Sequence, residues 1–366
     1  MKTTKLCMYV LTGVIVLLAL IMGACGKQTP ATPPPTTPST PTTPAPEPEP
    51  AAPIELTYGS ILPPNHPGSI SDMAWIEKIQ NETDGRVTIT PFWAGTLINP
   101  RESVTDLLNG VADIAFIIPQ YGAGVGYDIH DAMEIGFYAC PTPEISLEVY
   151  YELTSKYPEI AAEFDQFKPV GLIPGMAEQL HSIKRIEKLD DIKGLTIRAV
   201  RPFLPVLPKL GAEGAPVPMG EVYVSLEKGL LDGVDAFYEV LKTYNVAEVT
   251  DYTLVYNFQR GTYPGKAMNL DTWNSLPADI QKVFEDNYEW NNQNFLNEMT
   301  KAEEEAYTFA EDMGHEFNKL SPEETAKFDA IIQQVCAEKA AELDSKGFKG
   351  TEIFNEINSL IEKYSN

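Results

Sequence analysis

The alternation of strand-like and helix-like segments is the feature that most constrains the fold of this chain. Residues 54–61 and 86–92 have the pattern of strands, and 69–83 has apolar residues at helical spacing. Residues 113–118 form a continuous apolar run, which is typical of a strand buried on both faces. Repeated strand–helix–strand units predict an α/β fold in which helices flank a sheet.

The second half of the chain continues this pattern and then changes. From Pro277 to Met313, apolar residues fall on one helical face over many turns. So long a helix is uncommon in a compact domain, and it predicts an element that packs across two lobes. Ser321 and Pro322 then predict a new helix start. Further strands are predicted at 170–176, 195–200, 214–218, 234–237, 252–258 and 265–270, with helices at 102–109 and 220–231.

The first 25 residues predict a targeting signal. Lys2 and Lys5 precede an apolar run that ends in Met-Gly-Ala-Cys, and small residues before a cysteine resemble a bacterial lipobox. This resemblance implies that Cys25 is lipidated and the signal removed. The alternative is an uncleaved membrane anchor, since the run is nearly long enough to span a bilayer. Both predict a chain outside the cytoplasmic membrane, in the periplasm or on the outer face of the cell membrane.

Residues 26–53 are rich in Pro and Thr and predict an extended tether. Cys140 and Cys336 are the cysteines that follow the lipobox. A disulfide is permitted outside the cytoplasm, but two buried free thiols are the expected state. The cysteines and the scattered histidines lack metal-ligand spacing, so no metal site is predicted.

The formal net charge of −25 limits the classes of molecule that this chain can bind. It argues against nucleic acid, because no basic stripe is available to meet phosphates. It also implies that an anionic ligand must be held by a local cation, because the global field repels it. Gly122, Gly124 and Gly126 do not form a dinucleotide-binding pattern, and the sequence has no nucleophile elbow. We therefore predict no cofactor.

One local cation stands out in the segment 190–237. Arg198 lies in a short apolar strand, and a Gly/Pro-rich loop, a helix and a second strand follow it. A cation at a strand end beside loop backbone can hold a small anion, and a guanidinium can meet both oxygens of a carboxylate. Arg201 is expected at the surface. Glu221 is expected to cap the helix that it begins, with support of the binding site as the alternative.

The same segment closely resembles the signature region of the substrate-binding proteins of TRAP (tripartite ATP-independent periplasmic) transporters. The matching residues are K-G-L-T-I-R at 193–198 and L-G-A-E-G-A-P-V-P-M-G-E at 210–221. Segments 62–97 and 101–117 resemble the opening strands and helices of that family, and 268–281 resembles the start of its long helix. The resemblance extends over most of the chain beyond the tether.

The resemblance implies a two-lobed periplasmic-binding-protein fold, with a sheet flanked by helices in each lobe and a long helix spanning both lobes. One lobe would comprise 54–174 and 263–300, and the other 175–262 and 301–366. It implies a receptor without a catalytic role that closes on a small organic acid by a hinge. The receptor would deliver this acid to integral membrane TRAP subunits. In the family, the arginine that matches Arg198 grips the ligand's carboxylate.

At one position the chain departs from the family pattern. An asparagine after the second signature strand also touches the carboxylate in well-known members. This chain reads D-G-V-D-A-F-Y-E-V at 232–240, so Phe237 and Tyr238 lie near that place. The acid would then be held by Arg198 with a hydroxyl or a backbone N–H, and an aromatic wall would face it.

Other candidate ligand-binding residues lie near predicted strand ends, where ligands bind in open α/β sheets. Acidic residues there could pair with a hydroxyl or an amine of the ligand, and the polar turn after the first strand could contact the cleft. Together with Arg198, the candidates are Asn65, His66, Phe92, Trp93, Tyr121, Glu178, Phe237, Tyr238 and Glu239.

The sequence leaves other functions open. A receptor of this fold could present its ligand to a sensor kinase or to an ABC importer. An extracellular hydrolase is the remaining alternative, although abundant acidic residues are no evidence of a catalytic pair.

Overall fold

The structure, a computed structural model, describes residues 53–121 and 126–366. The predicted signal with Cys25, nearly all of the predicted tether, and Gly122 and Gly124 lie outside the described residues. Within the described part of the chain, no helix combines the length and apolar character needed to cross a membrane.

The strands of the described residues form two sheets. In chain order they are β1 Ile54–Gly59, β2 Val87–Phe92, β3 Ile114–Phe116, β4 Phe167–Ile173, β5 Ala177–Ser182, β6 Thr196–Arg198, β7 Glu213–Ala215, β8 Gly233–Ala236, β9 Tyr252–Gln259, β10 Tyr263–Asn269 and β11 Glu316–Lys319. The first sheet has the order β2-β1-β3-β10-β4, and the second has the order β11-β9-β5-β8-β6-β7.

Helices flank both sheets. They are α1 Pro67–Glu82, α2 Ser103–Leu108, α3 Asp128–Met133, α4 Pro143–Lys156, α5 Pro158–Ala162, α6 Val222–Glu227, α7 Val240–Thr243, α8 Leu270–Ser275, α9 Ala278–Asp286, α10 Tyr288–Asp312, α11 Pro322–Ser345 and α12 Gly350–Ser365. This is the two-lobed α/β architecture that the sequence predicts, and that prediction is confirmed.

The strands of each sheet come from separate stretches of the chain. The first sheet takes its strands from 54–173 and 263–269, and the second from 177–259 and 316–319. The C-terminal helices α11 and α12 pack against α3 and α4, so residues assigned to different lobes share one hydrophobic cluster. The lobe boundaries drawn from the sequence therefore stay a prediction.

Two crossing segments, 174–176 and 260–262, run side by side between the sheets. The Arg260 N–H donates to the Met176 carbonyl at 3.0 Å, and the Gly175 N–H donates to Thr262 Oγ1 at 3.3 Å. A Cβ at Gly175 would lie 1.8 Å from the Arg260 carbonyl oxygen, so only glycine permits this approach. The crossing thereby holds Arg260 between the two sheets.

The long helix predicted from Pro277 is present, with one break. Asn287 separates α9 from α10, and its φ of −96° and ψ of 1° depart from helical values. The 25-residue helix α10 packs against α1 and β4, and also against α7, which follows β8. It therefore connects elements of both lobes. Ser321 caps α11, as predicted, because its Oγ accepts from the Glu324 N–H at 3.3 Å.

A buried ion pair ties together the elements of the first lobe. Lys266 on β10 lies 2.5 Å from Asp72 on α1, and neither side chain is exposed. The Lys266 ammonium also donates to Asn291 Oδ1 on α10 at 2.6 Å, and the Tyr58 hydroxyl on β1 donates to Asp72. Burial lowers the pKa of Lys266, and Asp72 opposes this by favouring the charged ammonium.

We expect Lys266→Met to destabilise the protein strongly. The substitution leaves Asp72 buried and without its cation, which lowers the free energy of unfolding by about 3–5 kcal/mol. Urea unfolding followed by circular dichroism measures the difference. Lys282→Met is the matched control, because it removes an exposed lysine from a surface pair with Asp286 and should leave the midpoint nearly unchanged. Equal midpoints for the two variants would contradict this account of the core.

Candidate functional site

A cavity of about 670 Å³ lies between the two sheets. Its wall is built by the segments that follow β1, β3 and β4 of the first sheet and β6, β7 and β8 of the second. Ligand pockets of this size are typical of small-molecule sites. The cavity therefore lies at the ends of strands from both lobes, where open α/β sheets bind ligands.

Arg198 ends β6 and reaches into the cavity wall with only 3% of its surface exposed. Its Nε donates to the Val217 carbonyl at 2.9 Å, and Nη1 donates to the Asp235 carbonyl at 2.9 Å. Nη2 donates to the Tyr121 hydroxyl at 2.7 Å. These bonds use three of the five N–H groups of the guanidinium, which leaves two for a ligand.

Each of these three partners of Arg198 is a neutral group. Among the described residues, no carboxylate forms an ion pair with this guanidinium. A buried charge without a counter-ion is unfavourable, and native proteins pair such charges. The arrangement therefore creates a place for an anion beside Arg198.

Arg260 is a second buried guanidinium in the cavity wall, and it is already neutralised. It lies 3.0 Å from Glu134 and 3.3 Å from Glu178. Although burial opposes ionisation of Glu134, Arg260 lowers the pKa of this carboxyl group. Gln120 also donates to Glu134. The two arginines thus differ in charge balance, and of these two Arg198 is the one without a carboxylate partner within the described residues.

Asp235 on β8 is a buried acid whose surroundings favour its neutral form. Burial, and then the charge of Glu178 and a hydrogen bond with it, raise the pKa of Asp235 well above its usual range. The Tyr256 hydroxyl donates to Asp235 Oδ1. Within the described residues, no other side chain or backbone group donates a hydrogen bond to Asp235 Oδ2 or to Glu178 Oε2. If Asp235 carries a proton on Oδ2, it can donate a hydrogen bond to Glu178 Oε2, and both oxygens then have a partner.

His66 and Glu239 form a polar pair elsewhere in the cavity wall. The His66 Nε2 lies 3.6 Å from Glu239 Oε1, which is too far for a hydrogen bond. The ring of Tyr244 packs edge-on against His66, with 5.9 Å between the ring centroids. Burial, and then the charge of Glu239, raise the pKa of Tyr244. Glu239 is 3% exposed and His66 is 6% exposed.

The structure brings together seven of the ten candidate residues and places three elsewhere. Phe92 is 36% exposed, Trp93 packs edge-on against Tyr58, and Tyr238, which follows β8, packs edge-on against Tyr307. The side chains that line the cavity are those of Asn65, His66, Tyr121, Glu178, Arg198, Phe237 and Glu239.

Three functional-site residues escaped the sequence analysis. Arg260 follows the strand predicted at 252–258, and this position after a strand could have identified it as a candidate site residue. Glu134 lies in a short helical turn after α3, in a stretch for which the sequence analysis predicted no element. Asp235 alternates with apolar residues on β8, and nothing in the pattern signals a neutral acid.

Glu221 occupies the N-cap position of α6, at the helix start as predicted, but its side chain makes no capping hydrogen bond. Its carboxylate instead accepts from Arg101 Nη1 at 2.7 Å and Nη2 at 3.1 Å, at the cavity rim. The predicted helix 220–231 is also shorter, because only Val222–Glu227 is α-helical. Arg201 is partly exposed and bonds to Asp131. Cys140 and Cys336 are free thiols, and among the described residues no cluster of potential metal ligands occurs.

The two sheets and the charged cleft between them define the class of this molecule as a two-lobed solute-binding protein. The sequence model of DctP, described as "Bacterial extracellular solute-binding protein, family 7", matches residues 58–343. The chain belongs to this family, and the resemblance seen in the sequence is confirmed.

Curated relatives are distant in sequence. The chain is 23% identical over 310 residues to an uncharacterised protein of Sinorhizobium fredii, an alignment that covers 80% of this chain and 50% of the relative. The chain thus spans about half the length of that relative. It is also 23% identical over 280 residues to a monocarboxylate 2-oxoacid-binding periplasmic protein of Nostoc sp., covering 71% of this chain and 76% of the relative.

Solved structures share the fold. A marine metagenome TRAP solute-binding protein specific for aromatic acid ligands, in complex with 3-hydroxybenzoate, has a TM-score of 0.78 and 21% identity. The match covers 86% of this chain and 100% of that one. A TRAP periplasmic solute-binding protein of Bordetella bronchiseptica with bound (R)- and (S)-mandelate has a TM-score of 0.75 and 21% identity, covering 85% and 100%.

Asp235→Asn should flatten the pH dependence of stability. Because the folded protein holds this proton above the usual pKa, the unfolded chain binds fewer protons there. This group therefore lowers the free energy of unfolding, by up to about 1.4 kcal/mol per pH unit, as pH rises from the unfolded pKa toward the raised folded pKa. Asparagine stays neutral and can still donate to Glu178.

Urea unfolding at pH 5, 6, 7 and 8 tests this expectation. Asp312→Asn, an exposed substitution at the end of α10, is the control and should keep the wild-type slope. A parallel pH dependence for wild type and Asp235→Asn would show that Asp235 is ionised in the folded protein.

Proposed function

We propose that this protein is an extracytoplasmic receptor that captures a small organic acid in the cleft between its lobes and delivers it to a TRAP-type membrane transporter. Membership of the extracellular solute-binding family supports solute capture. The single observation that supports an acid is Arg198, a cation that is 3% exposed and whose protein partners are neutral groups.

The geometry of Arg198 suits a carboxylate. Two free N–H groups of a planar guanidinium can meet both oxygens of the ligand, and the Tyr121 hydroxyl beside them supplies a further polar contact. A hydrogen bond to a charged group contributes about 1.5–3 kcal/mol, whereas micromolar binding needs about 8 kcal/mol. Burial of the ligand's body must therefore supply the remainder.

The rest of the cavity offers such burial. Phe116, Ile118 and Phe237 line it, and Tyr263 and Phe295 contribute further aromatic surface. The relatives that bind 3-hydroxybenzoate, mandelate or a 2-oxoacid carry a carboxylate ligand of compatible kind. These ligands serve as probes of the site in this chain.

The acidic residues of the cleft argue for a receptor rather than a hydrolase. Glu134 and Glu178 are bound to Arg260, and Asp235 is bound to Tyr256 and Glu178. These groups hold the cleft in shape and neutralise its charge. A probe acid should accordingly be recovered unchanged after long incubation with the protein. Loss of uptake of the acid on deletion of either this chain or the TRAP membrane subunits supports delivery to that transporter.

Arg198→Ala should weaken binding of benzoate, 3-hydroxybenzoate and mandelate by at least about 100-fold, because two charge-assisted hydrogen bonds are lost. Isothermal titration calorimetry of the folded part, beginning near Ile54, measures the affinities. Arg198→Lys should recover little of the loss, since an ammonium cannot form the paired contact.

Arg185→Ala is the matched control, because Arg185 is exposed and pairs with Glu187 and Glu316 at the surface. It should bind the acids as the wild type does. An Arg198→Ala variant that folds, by its circular dichroism spectrum, and binds with undiminished affinity would remove Arg198 from the site.

We also propose that a lipid on Cys25 anchors the receptor at the membrane. The Met-Gly-Ala-Cys sequence supports this proposal, and the tether that follows would let the folded part reach its partner. Mass spectrometry of the membrane-extracted protein should find an acylated N-terminal Cys25. Cys25→Ser should abolish incorporation of labelled fatty acid, whereas Cys7→Ser should not. A mature N-terminus that still carries residues 1–24 would favour the uncleaved anchor.

A further inference from the structure

We propose, on the basis of the acid-receptor function, that the ligand is a hydroxy acid whose carboxylate binds Arg198 and whose hydroxyl group binds between His66 and Glu239. The proposal assigns a second polar subsite in the same cavity, and it narrows the ligand from any small organic acid to a chemical class. It is based on the hydrogen-bond donors and acceptors that two buried side chains leave without a protein partner.

The first of these side chains is His66, whose tautomer is set by its own backbone. The Gly68 N–H donates to His66 Nδ1 at 2.9 Å, as His66 caps α1. A nitrogen that accepts a hydrogen bond carries no proton, so the proton of the neutral ring lies on Nε2. This Nε2–H lines the cavity and has no hydrogen-bond acceptor among the described residues. It therefore offers a donor to a ligand.

The second side chain is Glu239, which offers acceptors at the same place. Its Oε1 lies 3.6 Å from His66 Nε2, and its Oε2 is buried without a hydrogen-bond partner within the described residues. A buried carboxylate oxygen without a donor is rare, because its desolvation goes uncompensated. No hydrogen bond to Oε1 occurs within the described residues either, and because Glu239 lines the cavity, a ligand donor can reach this carboxylate at Oε1.

The spacing of these atoms fits one oxygen atom of the ligand. An oxygen at about 2.8–3.0 Å from both His66 Nε2 and Glu239 Oε1 completes a triangle on the 3.6 Å base. A hydroxyl group accepts one hydrogen bond and donates another, so it satisfies His66 and Glu239 together. An ammonium group neutralises Glu239 but places its own N–H groups against the His66 N–H. A methoxy or carbonyl oxygen can accept from His66 but cannot donate to Glu239.

The hydroxyl subsite and the carboxylate subsite belong to one cavity. Arg198 and Tyr121 line the same cavity of about 670 Å³ as His66, Glu239 and Tyr244. A single small ligand can therefore reach Arg198 with its carboxylate and the His66–Glu239 pair with its hydroxyl group.

Matched acids test the inference by isothermal titration calorimetry. The probes are phenylacetate, its 2-, 3- and 4-hydroxy derivatives, and the methoxy and aminomethyl derivatives at the ring position of the best hydroxy acid. We expect at least one hydroxyphenylacetate to bind about 10- to 100-fold more tightly than phenylacetate. The methoxy and aminomethyl acids should bind no more tightly than phenylacetate.

Two variants locate the effect. Glu239→Leu removes both acceptor oxygens and should abolish the advantage of the hydroxy acid over phenylacetate. His66→Asn retains a side chain that caps α1 but lacks the Nε2–H, and it should reduce the same advantage. Circular dichroism and the melting temperature show whether each variant is folded.

The outcomes separate this inference from the proposed function. If hydroxy and unsubstituted acids bind equally well and both require Arg198, the hydroxyl subsite is wrong and the acid receptor stands. Tightest binding of the aminomethyl acid, or a hydroxyl preference that survives Glu239→Leu, also overturns the subsite. If none of the acids binds the wild-type protein, the proposed function fails together with this inference.

Discussion

The site depends on one interaction, the enclosure of the Arg198 guanidinium by groups that cannot neutralise it. Strand β6 lies between β7 and β8, and Arg198 pairs with Ala215 and Val234 in these neighbours. This register places the side chain beside the backbone carbonyls of Val217 and Asp235, which accept from it. Carbonyl dipoles orient the cation and leave its charge available, so an anion completes the site.

The raised pKa of Asp235 favours its neutral form, which preserves the charge of Arg198. Its carboxyl group lies within electrostatic reach of Arg198, and in ionised form it would act as the missing counter-ion. Glu178 already neutralises Arg260 together with Glu134, and sharing a proton with Glu178 keeps Asp235 uncharged. Of the two arginines of the cleft, Arg260 is therefore paired with carboxylates, and the positive charge without a carboxylate partner in the described residues remains at Arg198.

The sequence predicted the fold because its local patterns agreed with one another. Continuous apolar strands, amphipathic helices and the cap at Ser321 all led to elements that the structure contains. It missed β5, whose buried Glu178, Gln179 and His181 disguise a central strand as a polar segment. These polar residues are satisfied by partners distant in sequence, such as Arg260, Asn257 and Thr253. The pattern of apolar and polar residues along the sequence does not reveal hydrogen bonds between side chains that are far apart in the chain.

The candidate site, like the fold, was predicted in part. The predicted strand ends indicated most of the candidate residues that line the cavity. The position of a residue in the sequence does not, however, show which way its side chain points. Phe237 and Tyr238 are neighbours, and one lines the cavity while the other packs against Tyr307 on α10. Arg260 was missed because its role depends on the crossing of two segments at Gly175, which is a property of the fold and not of the local sequence.

The net charge of −25 and an acidic ligand are compatible because the two act over different distances. At physiological ionic strength, exposed charges are screened over about 8 Å, so surface carboxylates act weakly on an anion inside the cleft. Arg198 is buried, and water and salt screen it far less at contact distance. The acidic surface therefore limits non-specific association with anions, and under the proposed function the Arg198 guanidinium determines where the acid binds.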